Sequence, residues 1–209
     1  MCNTTSIIFA FTILSATSLS AWSFALKVNI DTTGLIGTNA TLAFDFFDGD
    51  AAFNNTIQIS QFQTNALLGS ASLLGDVSGS LNSTVHIGDN DFDNRLEQQL
   101  ILGSSLQFQL HTTNLFDING IFPDSFAFYI LDEFASFSLL PTTDPFGLDA
   151  LFAIDLNGSE NGLSVYTATT GADNWAIEPL ESTVPTPSTF LLILAGVLSA
   201  YPNRKRRKR

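Results

Sequence analysis

Cysteine occurs once in the 209 residues, at position 2. From residue 3 onward there is no disulfide, no thiol nucleophile and no thiolate metal site, so a core must hold by packing alone. Histidine is nearly as scarce. His86 and His111 stand apart from each other, without the spacing that zinc ligation needs. His86 sits between Val85 and Ile87, and His111 continues the Gln107/Gln109 face, so both read as solvated strand positions. No Gly-x-Ser-x-Gly elbow is present to support acyl-transfer chemistry. Basic residues are the third shortage. Six of the eight Lys and Arg form the block 204–209, and only Lys27 and Arg95 lie elsewhere. All 20 Asp and Glu fall between Asp31 and Glu181, so the body sets two bases against twenty acids, a formal charge of −18. Such a surface repels phosphate backbones, which argues against a nucleic-acid partner.

What is present in quantity is period-two alternation. Leu106, Phe108 and Leu110 alternate with Gln107, Gln109 and His111, the pattern of a half-buried strand. Ile57 and Ile59 alternate with Gln58 and Ser60; Leu42, Phe44 and Phe46 share one face. Further strands are expected at Phe126–Leu131 and Leu151–Leu156, with shorter ones at Leu26–Ile30, Thr84–Ile87 and Leu163–Thr167. Asn94–Leu102 is ambiguous between helix and strand. Asp48-Gly49, Asn119-Gly120, Asn157-Gly158 and Asn161-Gly162 supply turns between them. Short strands without crossover helices imply an all-β, antiparallel two-sheet sandwich over 26–177, with a jelly roll as the candidate topology.

The two ends read as addresses. An apolar stretch from Ile7 to Leu14, then small residues to Ser23-Phe24-Ala25, predict a signal peptide over 1–25, helical and cleaved after Ala25. A buried first strand or helix is the alternative. At the other end, 178–189 reads as a linker that Pro185 and Pro187 keep extended. Phe190–Tyr201 predicts a short apolar helix of about 18 Å, against a bilayer core of about 30 Å, within the tail 190–209. The bases Arg204, Lys205, Arg206, Arg207, Lys208 and Arg209 would stay cytoplasmic and leave the body outside. A nuclear-localisation reading of the same block conflicts with an export signal.

The order Val184, Pro185, Thr186, Pro187, Ser188, Thr189, then a short apolar run and an Arg-rich end, resembles the PEP-CTERM sorting signal of exopolysaccharide-producing Gram-negative bacteria. Thr186 stands where that family has Glu. The resemblance implies an exosortase, a membrane transpeptidase, as partner. It also implies transient holding at the inner membrane and delivery to the cell surface or polysaccharide matrix. The body is similar to a PEP-CTERM subgroup along Thr41–Asp50, Pro123–Asp132, Thr142–Gly147 and Ala150–Gly158. That likeness implies no activity.

Carboxylates are the remaining chemistry. Asp45, Asp48 and Asp50 crowd one strand end, with Asn54 and Asn55 following, and make a candidate calcium site, since hard cations take six to eight oxygens. Asp89, Asp91 and Asp93 alternate in a second loop. This loop is not an EF-hand, because Asn94 replaces the glycine and Leu100 the final glutamate. The leading expectation is an exported, non-enzymatic surface or matrix protein. Its alternatives are a calcium-supported carbohydrate-binding module, with Tyr129, Tyr166 or Trp175 stacking on sugars, and a secreted polysaccharide hydrolase using a carboxylate pair.

Overall fold

A computed structural model describes residues 23–169 and 174–180. The apolar part of the signal segment, the sorting residues 184–189, the tail 190–209 and both expected helices lie outside the described residues. Two antiparallel sheets of six strands face each other. The first runs β12 (Trp175–Pro179), β1 (Ala25–Asp31), β8 (Ser105–Thr112), β3 (Thr56–Thr64), β6 (Val85–Gly88), β5 (Val77–Gly79). The second runs β11 (Leu163–Val165), β10 (Phe152–Leu156), β9 (Asp124–Asp132), β2 (Asn39–Phe47), β7 (Asp93–Ile101), β4 (Leu67–Leu74). From β1 to β4, and again from β6 to β9, each successive strand crosses to the opposite sheet, the wrapping of a jelly roll. Among the described residues no helix is long and apolar enough to cross a membrane.

Alternation translates directly into packing. Val28, Phe108, Ile59 and Ile87 of the first sheet meet Phe44, Leu96, Phe128 and Ile154 of the second, all in one buried cluster. Phe108 spans the gap: its ring lies 5.5 Å from Phe44 and 5.2 Å from Phe128, which are themselves 4.8 Å apart. Each such side chain contributes roughly 1.5–3 kcal/mol by leaving water, which is how a fold without disulfides coheres.

The ambiguous stretch is a strand. In β7, Asn94, Leu96, Gln98 and Leu100 all point inward. Gln98 is tolerated there because its amide donates to the Gly69, Ser70 and Gln99 carbonyls, at a bulge where β4 slips register against β7. Strands β4, β5 and β12 were not expected. Glu178 and Pro179, assigned by sequence to the linker, belong to β12, opposite Lys27 and Leu26 of β1. Proline fits because β12 is an edge strand and ends there. The expected cleavage point after Ala25 likewise falls at the first residue of β1, where the Ala25 carbonyl accepts from Leu180.

The registers fix which loops meet. Phe47 pairs with Asp93 and with Ser125, Ala25 with His111, and Leu26 with Pro179. The loops 48–55, 89–92 and 113–123 therefore share one end with the start of β1 and the exit of β12.

Candidate functional site

Three interlocked loops at that end hold the carboxylates. Asp48, Asp50 and Asp124 each present a ligand atom, and all three atoms lie within 4.8 Å of one another. Asp48 and Asp50 come from the turn after β2, Asp124 from the first position of β9. Asp124 has the same parity as Phe126 and Phe128, so it faces inward and is fully buried. A buried carboxylate needs donors. Its Oδ1 accepts from the Gly49 and Asp50 amides at 2.8 and 3.3 Å, and its Oδ2 from Asn55 Nδ2 at 2.7 Å.

Asp50 is engaged as fully. Its Oδ1 accepts from the Ala52 amide, and its Oδ2 from the Asp117 amide at 2.8 Å and more weakly from Asn54 Nδ2. Asp48 is the open member: Oδ1 accepts from the Ala51 amide at 2.7 Å, while Oδ2 accepts no hydrogen bond among the described residues. These bonds hold Ala51 at φ 62°, a left-handed conformation that costs a non-glycine residue of order 1–3 kcal/mol. Gly49 is required for closeness, since a Cβ there would run into the Pro123 carbonyl.

The charges are felt. Burial, with help from Asp124, Asp89 and Asp50, raises the Asp48 carboxyl above its ordinary value against the Ala51 hydrogen bond. Asp89, beneath the same loop, is raised by burial although the Asn55 and Asn54 amides oppose this. An oxygen set with one open carboxylate and neighbours already clamped by amides suits a hard cation, which would complete its shell with water and carbonyls.

Of the five expected calcium ligands, the structure unites two, Asp48 and Asp50. Asn54 and Asn55 lie beside the group as its support. Asn55 is 1% exposed and uses its whole amide, accepting from Thr113 Oγ1 and the Leu115 amide, and donating to Asp124 and the Leu115 carbonyl. Asp45 belongs elsewhere. It sits on the outer face of β2, 2.9 Å from Arg95 Nε, because strand parity turns it the same way as Ala43. That contact lacks hydrogen-bond alignment. Burial then outweighs the attraction of Arg95 and pushes the Asp45 carboxyl up to about 6. Asp124 was missed.

The other candidates resolve simply. Tyr129 is buried, packed with Ala43, Ala127 and Ala150, and burial drives its hydroxyl well above its usual range. Trp175 packs against the core and donates its indole N–H to the Tyr166 carbonyl at 3.0 Å. Tyr129 therefore offers no free ring face for sugar stacking, whereas Trp175 and Tyr166 are half-buried. His86 and His111 stand on β6 and β8 with Gln58 of β3 between them. A cleft of about 300 Å³ over the outer face of the second sheet is lined in part by Glu97, Glu133 and Phe134, and the Asn39 amide donates to Glu133. No family model, no curated protein and no solved structure matches the chain.

Proposed function

We propose that this is an exported, non-enzymatic protein of the cell surface or polysaccharide matrix, delivered by a PEP-CTERM-like tail that an exosortase-type transpeptidase removes. One observation carries it: Val184–Thr189, the apolar run Phe190–Tyr201 and the bases 204–209 follow in the order such a signal requires. If helical, the run Phe190–Tyr201 would span about 18 Å, which is short for a permanent span and suits transient holding. The body supports the reading by what fills it, a core of Phe, Leu, Ile and Val that needs no disulfide after export. Fractionation in hosts with and without an exosortase tests it. Loss of the tail and release to the surface only in the exosortase host is the expected result; identical fractionation with the tail retained refutes it.

A second reading is favoured by the acidic group. Asp48, Asp50 and Asp124 would hold calcium and brace the loop 48–55 against the start of β9, as in a cation-supported binding module for exopolysaccharide. Calcium-dependent retention on immobilised polysaccharide would support this reading, and retention unaffected by chelator would remove it.

A further inference from the structure

We propose that the loop end of the sandwich is a membrane-docking surface, whose apolar loop tips enter the interfacial layer of a zwitterionic lipid bilayer. Phe53, Phe92, Ile118, Ile121 and Phe122 are 70, 73, 89, 83 and 67% exposed. Large side chains left this bare on neighbouring loops mark a contact surface. They come from three different loops, yet those loops are fixed to one another. The Asp48 amide donates to the Phe92 carbonyl, the Asn54 amide to Asp89, and the Asp117 amide to Asp50. The tips are thus carried on a braced platform, ready to insert without further ordering.

The chain itself says what covers them. β12 leaves the sandwich at this same end, where the Leu180 amide donates to the Ala25 carbonyl. Residues 181–189 then reach at most about 30 Å before the apolar run begins at Phe190. This inference rests on the proposed membrane insertion of that run; once it is seated, the tether leaves from the loop end and keeps that end nearest the lipid. Phe134, Phe137 and Phe146 are also exposed, but they follow β9 and precede β10, at the opposite end. Charge selects the lipid. Asp48, Asp91 and Asp117 lie on the same loops as the tips, with Asp50 and Asp89 buried beneath them, and Lys27 and Arg95 are the only Lys or Arg among the described residues. Anionic headgroups are repelled and zwitterionic ones are not.

The test uses the full chain carrying Cys2→Ser, with a polarity-sensitive fluorophore on Ile118→Cys or, as control, on Phe137→Cys. Each is reconstituted with phosphatidylcholine vesicles containing a shallow nitroxide quencher, and seating of the tail is read separately by alkaline extraction. The expected result is a blue shift and quenching at position 118 and neither at 137. Adding Phe53→Asp and Phe92→Asp should abolish the quenching while the tail stays seated. A seated tail with position 118 as wet as 137 overturns the docking and spares the sorting reading. Quenching without a seated tail does the reverse. A blue shift that grows with protein concentration but ignores the quencher means a second copy covers the tips, and overturns the proposal.

Discussion

Asp45 offers a measurable consequence of where the chain places a carboxylate. The structure puts it on the outer face of β2, 13% exposed, beside Arg95, and its carboxyl rises from an ordinary 3.8 to about 6. At 1.36 kcal/mol per pH unit this is worth ~3 kcal/mol. The folded state holds the proton more tightly than the unfolded state. The associated stability is therefore fully present below about pH 4 and is lost as pH rises through about 6. Asp45→Asn keeps the shape and cannot ionise. At pH 4 it should match the wild type; by pH 7.5 it should be the more stable protein by up to ~3 kcal/mol. Urea unfolding at a series of pH values reads this, provided that the slope stays the same in both proteins. Asp48 and Asp89 are also raised, so the wild type alone loses stability with pH for several reasons; the difference between the two proteins isolates Asp45. Millimolar calcium should leave that difference unchanged, because Asp45 lies outside the acidic group. A difference independent of pH would refute the reasoning. So would a variant that weakens as pH rises, because the Arg95 attraction would then dominate.

Calcium should raise the melting temperature relative to chelator, with about 2.7 kcal/mol gained at a hundredfold excess over Kd; Asp48→Asn should remove the gain, and an unchanged wild type discards the site. Phe108→Ala should cost ~3–5 kcal/mol in urea unfolding, because the ring meets Phe44 and Phe128 across the sandwich; a loss below ~1 kcal/mol would mean that the sheets close over the gap. Replacing Pro185 and Pro187 with Ala should leave membrane retention intact and reduce tail removal, whereas neutralising 204–209 should release uncut protein, both read by fractionation. Thr186→Glu should maintain or improve tail removal in the exosortase host, and impaired removal counts against the sorting assignment.

How far the sequence foretold this depends on which faces are buried. Strands β2, β8 and β9 each turn one parity of Leu, Phe and Ile into the core, and in β8 the other parity is polar; in β2 and β9 the second face is buried as well, around Ala43, Ala127 and Tyr129. β4 has no such pattern: Leu67-Leu-Gly-Ser-Ala-Ser-Leu-Leu74 is exposed along nearly its whole length, with Leu68 packed against the core, and is held mainly by pairing with β7. Backbone pairing leaves no mark on side-chain order, and β4 was invisible for that reason. The acidic group divides along the same line. Asp48 and Asp50 are turn residues and were legible as such. Asp45 was grouped with them by nearness in the chain, although it still lies inside β2, where two-residue periodicity assigns it to the face of Ala43.

Asp124 shows what a closer reading would use. Its amide donors, Gly49 and Asp50, lie 75 and 74 residues away, so no local spacing announces the group. Yet Asp124, Phe126, Phe128 and Ile130 share one parity, and three of them are core residues. An acid on the core-facing parity of an otherwise apolar strand cannot be left unpartnered, because an unpaired buried charge is too costly to persist. Something in the fold must come to it. Here that is a turn whose glycine allows the backbone to approach within hydrogen-bond reach, and the same approach brings Asp48 and Asp50 alongside. The inward acid is thus the organising residue of the site, and the two turn acids that the sequence displays are carried to it.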